Sequence, residues 1–210
     1  MADFESLSQS VISGKATQVK EKVTAMLEAG VNPLDIINEG LIGGMNVVGP
    51  RFKSGEMFVP EVLMSAKAMA AGIEIIKPLI ADQDIPSAGK VVIGTVKGDL
   101  HDIGKNLVAM MIESGGYSVV DVGVDISPEK FIEAVREHKP SIIGMSALLT
   151  TTMLNMKDTI DLLKEEGLRD QVKVMVGGAP VSKDFANEIG ADGFAPDAAS
   201  AVELCKKFLA

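Results

Sequence analysis

The spacing of apolar residues changes character once along this chain, near residue 81, and that change limits the possible architectures more than any other feature. Before it, apolar residues recur every three or four positions. Lys15–Glu28 sets Ala16, Val19, Val23, Met26 and Leu27 on one helical face. Asn32 followed by Pro33 reads as a cap and a first helical residue, opening a helix that runs towards Val48. Pro60 opens another, over Glu61 to about Ile76. With a first helix starting almost at Met1, the reading is four helices in a small bundle. The third carries Gly40, Gly43, Gly44 and Gly49. Glycines cost helix stability, so their number points to close approach of another backbone or a flat ligand. The polar stretch Ala81–Gly89, with its proline and glycine, reads as a linker and a natural hinge.

From Lys90 the period shortens. Val91–Val96, Ser118–Val122, Ile142–Ser146 and Lys173–Val176 are short β-branched or apolar runs, and Ala191–Phe194 reads as a fifth, shorter strand. Helical patterns separate them, at Ile103–Ser114, Pro128–His138, Met153–Glu166 and Lys183–Ile189, with a last helix over Ala198–Leu209. Alternating strands and helices imply a parallel sheet covered on both faces. The expected fold is α/β: an N-terminal four-helix bundle cap over 1–88, then a flavodoxin-like (Rossmann-like) doubly wound five-stranded parallel sheet over 89–210. In such sheets ligands sit at the carboxyl ends of the strands.

Composition removes several classes of function. Against 20 Lys and Arg the chain has 29 Asp and Glu, a net charge of −9, which disfavours binding a phosphate backbone. Its apolar runs break before the ~20 residues of a membrane span. The acidic, polar opening MADFESLSQS is no secretory signal. Cys205 is the only cysteine, so neither an internal disulfide nor a Cys-based zinc site is available. The expectation is a soluble cytoplasmic protein with no nucleic-acid or membrane partner.

The strand-end rule points at Lys97–Asn106, KGDLHDIGKN, between the first strand and the next helix. Five residues separate Gly98 from Gly104, and Asn106 stands where a phosphate loop needs a hydroxyl, so the loop is not of that kind. The Gly-x-Gly-x-x-Gly of a dinucleotide site is absent as well. Asp99 lies two residues before His101, within reach of the imidazole Nδ1–H, which would leave Nε2 free and basic. A metal ligand, a general base and a plain loop histidine bonded to a carboxylate all fit that spacing.

Asp99-Leu100-His101-Asp102-Ile103-Gly104 resembles the Asp-x-His-x-x-Gly signature of base-off/His-on cobalamin-binding domains. Ser146-Ala147-Leu148 is similar to that family's Ser-x-Leu at the third strand end, and Gly177-Gly178 to its Gly-Gly at the fourth. In the helical half, Gly44-Met45-Asn46-Val47-Val48-Gly49 and Gly55-Glu56-Met57-Phe58-Val59-Pro60 resemble the module before this domain in cobalamin-dependent methionine synthase and in corrinoid proteins of methanol, methylamine and betaine methyltransferase systems.

The resemblance implies a cobalamin cofactor (methylcobalamin, cob(I)alamin or a related corrinoid) with His101 as the lower cobalt ligand. It implies Asp99 behind that ligand, with Thr152 continuing the relay. Gly98, Gly104, Gly177 and Gly178 would leave a slot for the displaced nucleotide tail. Ser146 and Thr150 would hydrogen-bond along it and Leu148 would pack on it. Leu100, Asp102, Ile103 and Ala198 would also meet the cofactor. Met57 and Phe58 would cover its upper face. The implied role is a methyl carrier, non-catalytic alone, in an anaerobe's one-carbon metabolism. It would work between a substrate:corrinoid methyltransferase and a second methyltransferase acting on coenzyme M or tetrahydrofolate, with a reductive activase. The small subunit of an adenosylcobalamin mutase shares the histidine loop but typically lacks the helical cap. A cobalamin sensor usually adds a DNA-binding module, for which the first helix leaves no room. A cofactor-free interaction module is the remaining alternative, discriminated by whether cobalamin binds at all.

Overall fold

The computed structural model describes residues 3–80 and 87–210. The chain divides into two compact units: one is the segment up to Ser87 with Ser114–Gly116, the other Ala88–Glu113 with Tyr117–Ala210. Most of the expected linker, residues 81–86, lies outside the described residues.

The first unit is helical: α1 (Phe4–Ile12), α2 (Ala16–Glu28), α3 (Pro33–Asp35), α4 (Gly43–Lys53) and α5 (Val59–Ile76). Asp3 caps α1 by accepting from the Ser6 N–H, and Asn32 caps α3 by accepting from the Leu34 N–H. The helix expected from Asn32 towards Val48 runs further and is not uniform. Between α3 and α4, Ile36–Ile42 is a π-helix, and α4 continues to Lys53. Its carbonyls are served from outside: the Ser8 hydroxyl lies 2.8 Å from the Gly40 oxygen and 3.2 Å from that of Glu39. The glycines here have two explanations. A Cβ at Gly40 would lie 2.4 Å from Leu7 Cδ2, and one at Gly44 would lie 2.9 Å from the Ser8 carbonyl oxygen, so α1 crosses the rod at these two positions. A Cβ at Gly49 would meet nothing within 4 Å. The fourth helix begins at Val59, with Pro60 in its first turn rather than ahead of it. Leu7, Val11, Val19, Val23, Ile36, Leu41, Val48, Val62 and Ile76 are fully buried, each stabilising the fold by roughly 1.5–3 kcal/mol.

The second unit is a parallel sheet of β1 (Lys90–Thr95), β2 (Ser118–Asp121), β3 (Ile142–Ser146), β4 (Lys173–Gly177) and β5 (Gly193–Ala195) in the order β2-β1-β3-β4-β5. Its helices are α6 (Ile103–Ser114), α7 (Pro128–His138), α8 (Asn155–Glu165), α9 (Lys183–Glu188) and α10 (Ala198–Phe208). Adjacent residues on a strand face opposite layers. Val92, Ile143 and Val174 join Phe131, Ile160 and Leu163 on one face, while Val91, Ile142 and Met175 join Ile112, Ala201 and Cys205 on the other. This is the doubly wound α/β architecture expected. The strand bounds differ from expectation by a residue or two, and α8 begins at Asn155 rather than Met153 because residues 151–154 turn before the helix starts. The order reverses at β1, flanked by β2 and β3, so loops leaving the carboxyl ends of β1 and β3 diverge and leave a crevice.

Candidate functional site

Thr95 and Ser146 pair at the ends of β1 and β3, Ser146 pairs with Gly177 on β4, and Gly177 with Ala195 on β5. The β1–α6 loop and the β3–α8 loop therefore leave the sheet side by side. One side chain joins them. Asp99 is fully buried, and its carboxylate accepts five hydrogen bonds. Oδ1 takes the His101 backbone N–H at 3.1 Å and the His101 ring Nδ1 at 2.7 Å. Oδ2 takes the N–H groups of Leu148 at 2.8 Å and Leu149 at 3.3 Å, and the Thr152 hydroxyl at 2.7 Å. Burial alone would raise the pKa of this acid. The bonds from Leu148, Thr152 and both His101 groups outweigh burial and hold it well below the usual carboxylate range.

An ionised carboxylate only accepts, so Nδ1 carries the ring proton and Nε2 of the neutral ring presents its lone pair. The His101 side chain is 53% exposed, and Nε2 has no hydrogen-bond partner among the described residues. The Thr95 hydroxyl, fully buried, donates to the His101 carbonyl at 2.8 Å and fixes the backbone beneath the ring. The arrangement leaves one ring nitrogen open, with the other tied to a carboxylate, a geometry that suits either metal ligation or proton transfer. No cluster of three or more His, Cys, Asp or Glu able to hold an ion occurs among the described residues.

Around the ring the surface is unusually apolar for a loop. Leu100 is 71% and Ile103 86% exposed, and Leu148 and Leu149 are exposed beside them. Gly104 lies in the first turn of α6, where a glycine costs about 1 kcal/mol relative to alanine. A Cβ there would meet nothing within 4 Å, so the protein's own packing does not require the glycine. Gly98, at φ +79°, needs its glycine for backbone reasons. Gly177 and Gly178 also have an internal account. A Cβ at Gly177 would lie 2.7 Å from the Ala195 oxygen, and one at Gly178, at φ +119°, would lie 1.8 Å from the Ala147 oxygen. These glycines let β4 close against its neighbours, and the open space lies at Gly104.

Ser146 is half-buried at the end of β3, Thr150 is exposed on the following loop, and Ala198 is buried at the start of α10. Asp102 is exposed and accepts from Asn106 Nδ2 at 3.1 Å. Met57 and Phe58, expected as a pair, differ: Met57 is buried and Phe58 is 67% exposed. Sequence reasoning overlooked three groups. The Leu149 N–H is one, since backbone donors carry no residue signature. Lys105 is another, buried with its amine donating to the Asp121 carboxylate and, at 2.7 Å, to Asn106 Oδ1. Its charge inside an apolar helical pattern was the available signal. The third is Asp125, whose side chain accepts from the Gly98 N–H at 2.7 Å.

Two family models, each described as a B12 binding domain, match the chain, one over residues 89–205 and the other over residues 3–77. A corrinoid protein of Desulfitobacterium hafniense is 46% identical over all of this chain and 98% of its own length. A dimethylamine corrinoid protein of Methanosarcina barkeri is 46% identical over 99% of this chain and 97% of its own. Among solved structures, the methanol:cobalamin methyltransferase complex of Methanosarcina barkeri contains a chain that matches with a TM-score of 0.89 at 35% identity, covering 98% of this chain and 79% of that one. A cobalamin-binding protein of Desulfitobacterium hafniense matches with a TM-score of 0.81 at 33% identity over 99% of both chains. With both units matched and relatives similar from end to end, the chain belongs to the B12-binding domain family and is a cobalamin-binding corrinoid protein.

Proposed function

We propose that this protein is the methyl carrier of a corrinoid-dependent methyltransferase system and that it binds its cofactor base-off/His-on through His101 Nε2. The observation that carries this reading is the ring itself: anchored at Nδ1 by a buried carboxylate, open at Nε2, and set among exposed Leu100, Ile103 and Leu148. Those residues fit a corrinoid. An apolar rim suits the edge of a macrocycle, and Gly104, three residues on from His101, leaves open space where a Cβ would stand. When bound, the corrinoid would supply a cobalt centre able to carry a methyl group, with His101 Nε2 the protein atom that would hold it.

Each residue then has a task. His101 is the lower ligand. Asp99 keeps the proton on Nδ1 and so keeps the lone pair on Nε2. If the ring gains a proton at Nε2, the same carboxylate stabilises the imidazolium. Thr152 has one hydroxyl proton and two acceptors within reach, Asp99 Oδ2 at 2.7 Å and the Leu149 oxygen at 3.0 Å. It can therefore strengthen or relax its hold on the carboxylate as the ring's charge changes. Of the four glycines expected to make room for the nucleotide tail, Gly104 leaves open space, while Gly98, Gly177 and Gly178 serve the chain's own backbone. Ser146 and Thr150 offer hydroxyls along the tail, with Leu148, Asp102 and Ala198 beside it. In the helical unit, Phe58 is the exposed candidate for the upper face, with Met57 buried behind it in sequence.

The partners in this reading are a substrate:corrinoid methyltransferase, a second methyltransferase delivering the group to coenzyme M or tetrahydrofolate, and a reductive activase, in the cytoplasm of an anaerobe. No described helix is long and apolar enough to cross a membrane. The relatives named for dimethylamine make methylamines the first donors to assay. The deciding experiment loads the purified protein with cobalamin, desalts it, and compares wild type with His101→Gln. Wild type is expected to stay coloured and to show nitrogen hyperfine splitting from a histidine in the cob(II)alamin EPR spectrum. The variant should lose that splitting, and a spectrum identical to wild type would remove His101 as the ligand.

A further inference from the structure

We infer that Asp125, on the loop after β2, is a positioning residue for the lower ligand, holding the His101 loop in its ligating shape from the side opposite Thr152. The inference rests on the corrinoid reading for its purpose and on the geometry for its mechanism. After β2 the Gly123 carbonyl accepts from the Thr95 N–H at 2.9 Å, and the Ile126 N–H donates to the Thr95 carbonyl at 3.0 Å. The two intervening residues bulge out of the ladder. Asp125, within the bulge, has φ +55°, a left-handed conformation that Asp tolerates better than most residues. There it makes two bonds to consecutive residues of the β1–α6 loop. Its Oδ1 accepts from the Gly98 N–H at 2.7 Å, and its own N–H donates to the Asp99 carbonyl at 3.0 Å.

The consequence is geometric. The Asp99 carboxylate is held by the β3–α8 loop and by His101, but the direction in which it leaves the chain depends on the Gly98–Asp99 backbone. Gly98, at φ +79°, is the most permissive point of that backbone. The Asp125 side chain bonds the N–H of this hinge residue, and the Asp125 N–H bonds the carbonyl of the next. Without the side-chain bond, Gly98 regains freedom, Asp99 turns less reproducibly towards the ring, and Nε2 meets the metal in fewer molecules.

Two substitutions separate the acceptor from the backbone strain. Asp125→Gly keeps the left-handed turn and deletes the acceptor, while Asp125→Asn keeps both. Hydrogen exchange at the Gly98 amide is read in the cofactor-free protein. The fraction of molecules with histidine bound to cobalt is read by EPR after loading with cob(II)alamin. Asp125→Gly should raise the Gly98 exchange rate about tenfold, the equivalent of one lost hydrogen bond to a charged group. It should also lower the histidine-bound fraction several-fold, while Asp125→Asn, whose neutral oxygen keeps about half the bond's strength, stays within about threefold of wild type in both. A Gly variant matching wild type in either measurement overturns the positioning role. An Asn variant as impaired as the Gly variant overturns the acceptor as its cause. Wild type that retains no corrinoid overturns the parent reading and this role together, whereas wild type with the histidine signature beside an unaffected Gly variant overturns this role alone.

Discussion

Replacing Asp99 by asparagine should move a proton across a ring without moving the ring. The carboxylate has two oxygens and five donors, two facing Oδ1 and three facing Oδ2. An amide has one acceptor oxygen, so one set of donors must face its NH2 group. If NH2 faces the β3–α8 loop, the N–H groups of Leu148 and Leu149 both lose their acceptor, at about 1–3 kcal/mol each. If it faces His101, only the His101 N–H is orphaned, because the ring can adapt by shifting its proton to Nε2. The second orientation is preferred by about one orphaned donor. Three bonds at the remaining oxygen also change from charge-assisted to neutral, losing about half their strength each. Relief of burying a charge offsets part of this, leaving a net destabilisation of roughly 2–3 kcal/mol near neutral pH. The sign with pH follows from the lowered pKa. Asp99 contributes stability that is fully present above the unfolded value of about 3.9 and lost as pH falls towards the lower folded value. The gap between wild type and variant should therefore narrow in acid. Ring 15N shifts of the cofactor-free protein, at a pH where the ring is neutral, and urea denaturation between pH 3 and 7 read both effects. A variant that keeps its proton on Nδ1 and unfolds at the wild-type midpoint would refute the two-sided role of this carboxylate.

Gly178→Ala should destabilise the protein by about 3 kcal/mol in urea denaturation, because its Cβ meets the Ala147 backbone at a positive φ. Gly104→Ala should do the opposite, stabilising the cofactor-free protein by up to about 1 kcal/mol as a better helix former while weakening cobalamin retention. Loss of stability at Gly104, or unchanged retention, would contradict the space assigned to the ligand there. Cys205, fully buried and with its pKa pushed up to about 12 by burial, should resist thiol reagents at pH 8 until denaturant is added. Rapid labelling of the native protein would contradict the packing of α10.

The fold was largely legible because its signal is periodic. Val91 and Val92 face opposite layers as strand residues must, and Phe131, Ile132 and Val135 keep the helical spacing that places α7 on the sheet. The Asp99–His101 contact was legible because the two lie two positions apart in a loop, within a hydrogen bond's reach. The helix from Pro33 was legible, but its π-helical stretch Ile36–Ile42 was not, since a π-helix has no composition of its own. It depends on the Ser8 hydroxyl arriving from α1, a contact across about thirty positions of sequence. The role of the Gly177-Gly178 pair was legible only as a need for room. That the room is filled by the Ala147 and Ala195 backbones is a fact of tertiary packing. Asp125 gave no signal, because an acidic residue after a strand is ordinary until its backbone is seen to turn left-handed.

The division of Asp99 between its two oxygens has a mechanical corollary. Oδ1 grips the imidazole while Oδ2 grips the loop after the neighbouring strand, so an imidazole that swings aside forfeits a charged bond whose acceptor is held in place from the far side. The ring's bearing is thus set through the sheet as well as by its own loop, so a group arriving at Nε2 would meet a nitrogen already aimed.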